Sequence, residues 1–441
     1  MYRLIVASAL ATFVSFPAAR AADAPAPPAS GAPAPAQEDD AARKKLEEDI
    51  SRELGAQPGK AQAAPAPGAP PPAQPGPAPA AQGGTGGNPM ARLLLLPDIS
   101  AIGSFAGAYS NYDIANQSPR TGPFGPKDKP TPLFEEVELG LQSVIDPYAR
   151  ADIFISFTPD GVDVEEAYLT TLNLPAGLQL KAGKFFSPFG RLNQQHPHVW
   201  DFIDAPLAMQ RLLADEKLSG PGADVAWLAP LPWFAELHLA GQGTNPSPSQ
   251  PSDGASSERL TAVARLLQYF PIGDATTLGV GFSAARRSEA TGAFRDLGGA
   301  DLYLRWRPLY SRSYVTLQGE VFARRFSGSM SDQLTSALPV LAGELGQGTD
   351  WGGYAQLFWR QDAYFGYGVR YDGAPTGPRY GAIGVPEGTE HRYSALANWY
   401  PSEFQRIRLQ AAYDRRPGGQ DGVEFLLGLE FGIGAHGAHP F

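Results

Sequence analysis

Two histidines flank one proline at His196-Pro197-His198, with Asp201 and Asp204 close behind, and this run has the clearest capacity for chemistry in the chain. In an extended segment both imidazoles project to one side. Imidazole with carboxylate suits a divalent ion such as zinc, so His196 and His198 are a candidate metal pair. The same groups would equally hydrogen-bond a protein wall and shape a constriction. The other histidines are His238, His391, His436 and His439; the last two are three apart and fall on opposite faces of a regular strand. For catalysis, Asp201 with His198 is the one nearby pair, and closeness in sequence does not make an active site. No enzyme and no cofactor are expected. The chain has no Cys, which excludes a disulfide scaffold, a thiolate zinc site and a Cys nucleophile. A formal charge of −10 argues against a basic surface for nucleic acid.

The segments that must position these residues follow from composition and period. Residues 1–21 read as an export signal: Arg3, a short apolar run from Leu4 to Phe16, and the small-x-small site Ala19-Arg20-Ala21. Residues 22–92 form a disordered tether whose Pro-Ala runs favour extended backbone and bury no core. Within it, Ala42, Leu46, Ile50 and Leu54 recur every four residues, which predicts one short helix over 38–54. From residue 93 to 441 the period becomes two. Alternation predicts strands at 98–110, 134–144, 148–158, 162–172, 177–187, 220–229, 233–242, 259–269, 275–287, 298–307, 313–326, 350–361, 363–372, 390–400, 404–415 and 422–433. Short, often Pro-containing turns alternate with mostly long loops. That asymmetry and an even strand count predict an all-β fold, a sixteen-stranded antiparallel transmembrane barrel in the outer membrane of a Gram-negative bacterium, with the tether in the periplasm.

Strand alternation places one apolar face toward lipid and one polar face inward. The inward set predicts a basic wall of Arg259, Arg265, Arg305, Arg307, Arg324, Arg360, Arg370, Arg406 and Arg408, with Arg392 among them. The opposite wall carries Glu136, Glu138, Asp152, Asp163, Glu165, Glu236, Glu424 and Glu430. Such a lumen would be water-filled and laterally polarised, and charge swaps at Arg305 and Arg406 would change ion selectivity. The alternative is that arginines and acids neutralise one another.

The long third loop, 188–219, has structure of its own. Asp204 and Pro206 predict a helix start, running to about Lys217, with Leu207, Arg211, Leu212 and Asp215 giving it an apolar and a charged side. Folded inward, it would form a constriction carrying Arg191, His196, His198, Asp201, Asp204 and Arg211.

The run Gly183-Lys184-Phe185-Phe186-Ser187-Pro188-Phe189-Gly190 through Asp204, with Glu165-Glu166-Ala167-Tyr168 upstream, resembles the phosphate-selective porin O and P superfamily. More closely it is similar to barrels labelled zinc-regulated TonB-dependent outer-membrane receptors. The resemblance covers roughly residues 97–441. The ending 432–441 with a terminal Phe441 resembles outer-membrane barrels whose last aromatic is read by the barrel assembly machinery. Together with the residues, this implies a lipid-embedded channel for passive diffusion of small hydrophilic or ionic solutes, with association of three barrels as in sixteen-stranded porins. A substrate-specific, zinc-linked receptor and an anchor for a periplasmic partner are the alternatives.

Overall fold

A computed structural model describes residues 97–111, 127–159, 161–213, 217–243, 260–288, 294–329, 345–376, 386–419 and 421–434. The export signal, the tether with its expected helix 38–54, and Arg259, Asp215, His436, His439 and Phe441 lie outside them.

The strands are β1 Asp98–Ser110, β2 Thr131–Asp146, β3 Ala149–Thr158, β4 Gly161–Thr171, β5 Leu178–Phe186, β6 Ser219–Leu228, β7 Phe234–Gly243 and β8 Leu260–Ile272. They continue as β9 Thr276–Ser288, β10 Phe294–Trp306, β11 Tyr314–Ser329, β12 Leu345–Arg360, β13 Phe365–Thr376, β14 Gly388–Ser402, β15 Gln405–Arg415 and β16 Gly422–Ile433. Each pairs antiparallel with its chain neighbours, and β1 pairs with β16 to close the barrel. At that closure Ser104 faces Glu430 and Phe105 faces Leu429. Closure leaves no strand edge, so every strand finds a hydrogen-bonding neighbour without water.

Alternation sets the two faces. On β13, Phe365, Tyr367, Val369 and Tyr371 are exposed outward, while Gly366, Gly368, Arg370 and Asp372 are buried inward. On β16, Phe425, Leu427 and Leu429 face out while Glu424, Gly428 and Glu430 face in. Apolar side chains that stay exposed all round a closed sheet match the hydrocarbon of a bilayer. Trp227, Trp306, Trp359 and Trp399 mark the belt at the short-turn end, and Trp351, Tyr393 and Tyr413 mark it at the other. Residues 351 and 359 lie on one strand, spanning about 26 Å of extended chain.

Two departures from strict alternation sit beside adjacent acids. The register of β1 with β2 shifts between Ser104 and Phe105, so Glu135 and Glu136 together oppose one partner position. The register of β3 with β4 shifts between Phe154 and Ile155, beside Glu165 and Glu166. A bulge turns a second side chain off the lipid face, and two consecutive carboxylates require that. Arg307 is a correction: β10 ends at Trp306, and Arg307 lies in the following turn, exposed, with its side chain donating to Ser311 O. The loop expected at 327–349 is also shorter, because β11 runs to Ser329 and β12 begins at Leu345.

Val369→Arg, on the lipid-facing middle of β13, should lower unfolding free energy in phospholipid vesicles by about 2–4 kcal/mol. Tyr413→Arg, near the rim, should cost about 0–1 kcal/mol. Urea titration of both variants measures the difference.

Candidate functional site

Loop three leaves β5 after Phe186, enters the lumen and returns to β6 at Ser219. Its entry is fixed at Gly190, whose φ of +61° lies in the left-handed region. That conformation aims successive amides at the wall. Gly190 N donates to Ser283 Oγ at 3.0 Å, and Arg191 N and Leu192 N donate to Glu320 at 2.8 and 2.9 Å. A Cβ at position 190 would press on the same Glu320 carboxylate. Two short 3₁₀ turns follow, Leu192–Gln194 and Pro197–Val199, and then one helix, α1, over Leu207–Leu212.

Much of the loop packs as a core. Phe189, Leu192, Trp200, Leu207, Ala208, Met209, Leu212 and Leu213 are buried against Ala240, Val263, Ala285, Leu297, Phe322, Tyr354 and Ala374 from the wall. The lumen expected to be polar and water-filled is therefore in part an apolar core at the level of this loop. Among the inward positions of β7 to β13, Ala240, Val263, Ala285, Leu297, Phe322 and Ala374 receive the loop's apolar face, while Ser283, Glu320 and Gln356 meet its polar groups. α1 is shorter than the expected helix to Lys217, and Asp204 does not cap it: Pro206 stands at the cap position and Leu207 N donates to Asp372 Oδ1 at 3.3 Å.

Asp204 is held elsewhere. It accepts Arg370 Nη2 at 2.7 Å and Gln410 Nε2 at 2.6 Å, and pairs with Arg392 Nη2 at 3.0 Å. Burial alone would raise its pKa, but Arg370 and Arg392 outweigh burial and bring it down to about 2. Arg392 also meets Asp414 and Glu424, and Arg370 meets Asp372. Arg406 and Arg408 both pair with Glu430 and donate to loop carbonyls, Arg406 to His198 and Trp200 and Arg408 to Trp200 and Phe202. Arg211 on α1 pairs with Glu390 at 2.6 Å, and Arg324 donates to Arg211 O at 3.0 Å. The arginines of β13 to β15 are thus fasteners for the loop. β15 lies beside β16, so Glu424 and Glu430 neutralise the basic strands and do not face them across the lumen.

The wall of β2 to β4, on the other side of the β1–β16 seam, meets the histidines. His196 Nδ1 lies 2.7 Å from Glu138 Oε2 and 3.2 Å from Glu165 Oε2, and its Nε2 lies 2.9 Å from Glu166 Oε2. His198 Nδ1 is 3.7 Å from Glu138 Oε2, and the two imidazoles stack with centroids 5.5 Å apart. Burial disfavours charge on His196, but Glu138, Glu165 and Glu166 outweigh it and raise its pKa to about 10. The expected carboxylate neighbours Asp201 and Asp204 are not at this cluster. Asp201 accepts Gln356 Nε2 at 3.1 Å, and burial raises its pKa despite Arg406, Arg191, Arg408 and Arg360. His198 and Asp201 are directed to different wall residues, which removes the geometry of a catalytic pair.

Three less buried cations rest on tyrosine rings. Arg191 lies 3.7 Å from the Tyr303 ring centroid and donates to Tyr269 Oη at 3.1 Å. Arg305 lies 4.8 Å from Tyr314, and Arg360 lies 3.3 Å from Tyr400. Tyr303, Arg305, Tyr314, Arg360 and Tyr400 all sit in the short-turn half of their strands. Arg265 is buried in a bidentate pair with Asp301, at 2.7 and 3.1 Å. Glu136 accepts Ser156 Oγ at 2.5 Å, and Asp152 pairs with Arg150. Glu236 meets His238, which also meets Asp224. Asp163 is half-exposed beside Lys184.

Several functional side chains escape a period-two reading. Glu166 sits on a bulge, and the adjacent acid pair was its only signal. Glu320, Gln318, Tyr354 and Gln356 read as ordinary inward polar residues. Their task is set by loop amides and side chains more than a hundred residues away in sequence.

No family model matches the chain. Its sequence is 33% identical over 333 residues to a protein of Aquifex aeolicus (strain VF5) described as uncharacterized, covering 69% of each chain. The barrel is similar in structure to the high-pH form of OprB of Pseudomonas putida (TM-score 0.52, 9% identity, covering 78% of this chain and 96% of that one). It is also similar to the outer membrane channel DcaP of Acinetobacter baumannii (0.51, 11%, covering 76% and 97%). A third likeness is to an anion-selective porin from Comamonas acidovorans (0.50, 10%, covering 76% and 99%). At these identities the likeness is one of fold: a porin-like barrel.

Asp204→Ala would leave Arg370 and Arg392 buried without this partner and should cost about 3–5 kcal/mol in detergent-micelle unfolding. The depressed pKa gives the sign of the pH dependence. Asp204 contributes fully above its unfolded value of about 3.9, and its contribution disappears as pH falls through about 2. The variant should therefore show a shallower loss of stability between about pH 4 and pH 2 than the parent chain.

Proposed function

This chain belongs to the same family as the Aquifex aeolicus protein, and on that premise we propose that it is an outer-membrane channel through which small charged solutes diffuse past loop three. The observation that carries the reading is the loop itself, braced across the lumen from Glu138 on β2 to Ser283 on β9 and Glu320 on β11. A braced loop narrows a barrel without blocking it as a folded plug domain would, so it sets which solutes pass.

The charge that a passing solute meets is not that of the whole basic wall. Arg370, Arg392, Arg406 and Arg408 are neutralised by acids and loop carbonyls. Arg191, Arg305 and Arg360 keep more exposure in the short-turn half, where tyrosines hold their guanidinium planes. This arrangement favours small anions, phosphate among them, over cations. The resemblance to phosphate-selective porins and the fold shared with an anion-selective porin agree with that reading. The export signal 1–21 and the tether 22–92 belong to the same proposal. Both ends of the described barrel lie on the short-turn side, where a periplasmic tether would join.

In planar bilayers the folded protein should form channels with an anion preference. Arg305→Glu combined with Arg360→Glu should shift the reversal potential toward cations, and deletion of residues 194–212 should raise single-channel conductance several-fold. Silence of both the parent and the loop-deleted protein, each folded by heat-modifiable gel mobility, would reject the channel and favour the anchor. Conductance restricted to one solute would favour the substrate-specific receptor.

A further inference from the structure

The cluster on the β2–β4 wall is more than an ion pair, because its donor set, spacing and surroundings match a metal centre. Glu138, His196 and His198 each offer one ligand atom, these atoms lie within 4.8 Å of one another, and all three residues are buried. Glu165 Oε2 borders this group, 3.2 Å from His196 Nδ1. In a tetrahedral zinc site, ligand atoms bound at about 2.0–2.1 Å stand about 3.3 Å apart. The separations here of 2.7, 3.2 and 3.7 Å bracket that value.

Two further observations point the same way. The second nitrogen of His196 faces Glu166 Oε2 at 2.9 Å, and the other oxygen of Glu166 accepts Phe186 N at 2.9 Å. A ligating histidine whose far N–H is held by a fixed carboxylate is the usual support around a metal. The rings of Phe154 and Phe186 flank His196, each with its centroid 4.9 Å away, and so shield the cluster from water. Glu138, a residue 1% exposed, presents one carboxylate oxygen to both imidazoles, at 2.7 Å from His196 Nδ1 and 3.7 Å from His198 Nδ1. Charge agrees as well. A divalent ion with two neutral imidazoles and two carboxylates is neutral within its own shell.

We propose that Glu138, His196 and His198 form a buried site for a divalent ion of the zinc type, with Glu165 drawn in as the fourth, tetrahedral ligand; the ion clips loop three to the β2–β4 wall. The ion replaces the proton of His196 Nδ1, which leaves to solvent, so no redox partner is needed. The proposal stands apart from the channel reading: a silent barrel could still hold the ion, and a conducting one could lack it.

The test uses the untagged full chain folded in detergent, dialysed against Co²⁺ and separately against Zn²⁺. One ion per chain is expected, and Co²⁺ should give the intense visible absorption of a tetrahedral site. Glu138→Gln and His198→Asn should each weaken binding at least a hundredfold, and Glu166→Gln, beyond the ligand shell, tenfold to a hundredfold. His238→Ala, at the separate Asp224–Glu236 cluster, should change nothing. Substoichiometric binding, or binding that survives Glu138→Gln with His198→Asn, or binding lost with His238→Ala, would overturn the site. Should those variants fail to fold, X-ray absorption of the parent protein decides: two imidazoles in a four-coordinate shell support the site, and an all-oxygen six-coordinate shell overturns it.

Discussion

A backbone in hydrocarbon has no water to satisfy its amides, and that constraint governs this molecule more than any side-chain contact. It requires the sheet to close, and closure divides every strand into an oily face and an enclosed one. What the enclosed face then does is free to vary. Here it is not left to water: loop three brings apolar side chains inside and packs them on Ala240, Val263, Ala285, Leu297, Phe322 and Ala374. The barrel therefore has two apolar surfaces, one turned to lipid and one buried around its own loop.

Polar chemistry inside follows from that arrangement. A loop in a lumen carries amides and carbonyls that need partners. Arg406 and Arg408 provide them at Trp200 and Phe202, Glu320 at Arg191 and Leu192, and Gln410 at Ile203. Burying so many guanidinium groups is costly unless each meets a carboxylate, and Glu430, Glu424, Asp414 and Asp204 supply these from adjacent strands or the loop itself. Fixed charges that serve as fasteners no longer act on a distant solute. Arg191, Arg305 and Arg360 are held on tyrosine rings instead.

The strands were legible because alternation in lipid is strict: Val369 and Tyr371 outside with Arg370 and Asp372 inside leave one register. β16 agrees with its sequence reading at both ends, and β1 likewise. The constriction was legible as a location, since a long loop with three prolines and two histidines is seldom idle. Its partners were not. Periodicity tells which face Glu320 or Gln356 occupies and nothing about what crosses the lumen to meet it. The helix was read too long because Asp204 looked like a cap, whereas two buried arginines offer that carboxylate a stronger interaction than a backbone amide does. The carboxylates around His196 were misassigned for a related reason. Asp201 and Asp204 are close in the chain, but the turn at Pro197–Val199 sends the imidazoles toward Glu138, and the bulge at Glu165 and Glu166 completes the group.

The fastening points of loop three lie on both sides of the place where the cylinder is zipped shut. β1 and β16 meet there, and the loop grips β15 on one flank and β2 and β4 on the other. Parting the seam sideways would require tearing the loop from one flank as well as unzipping the ladder between β1 and β16. An internal strap of this kind resists lateral opening from within, so the segment that narrows the passage also guards the joint of its wall.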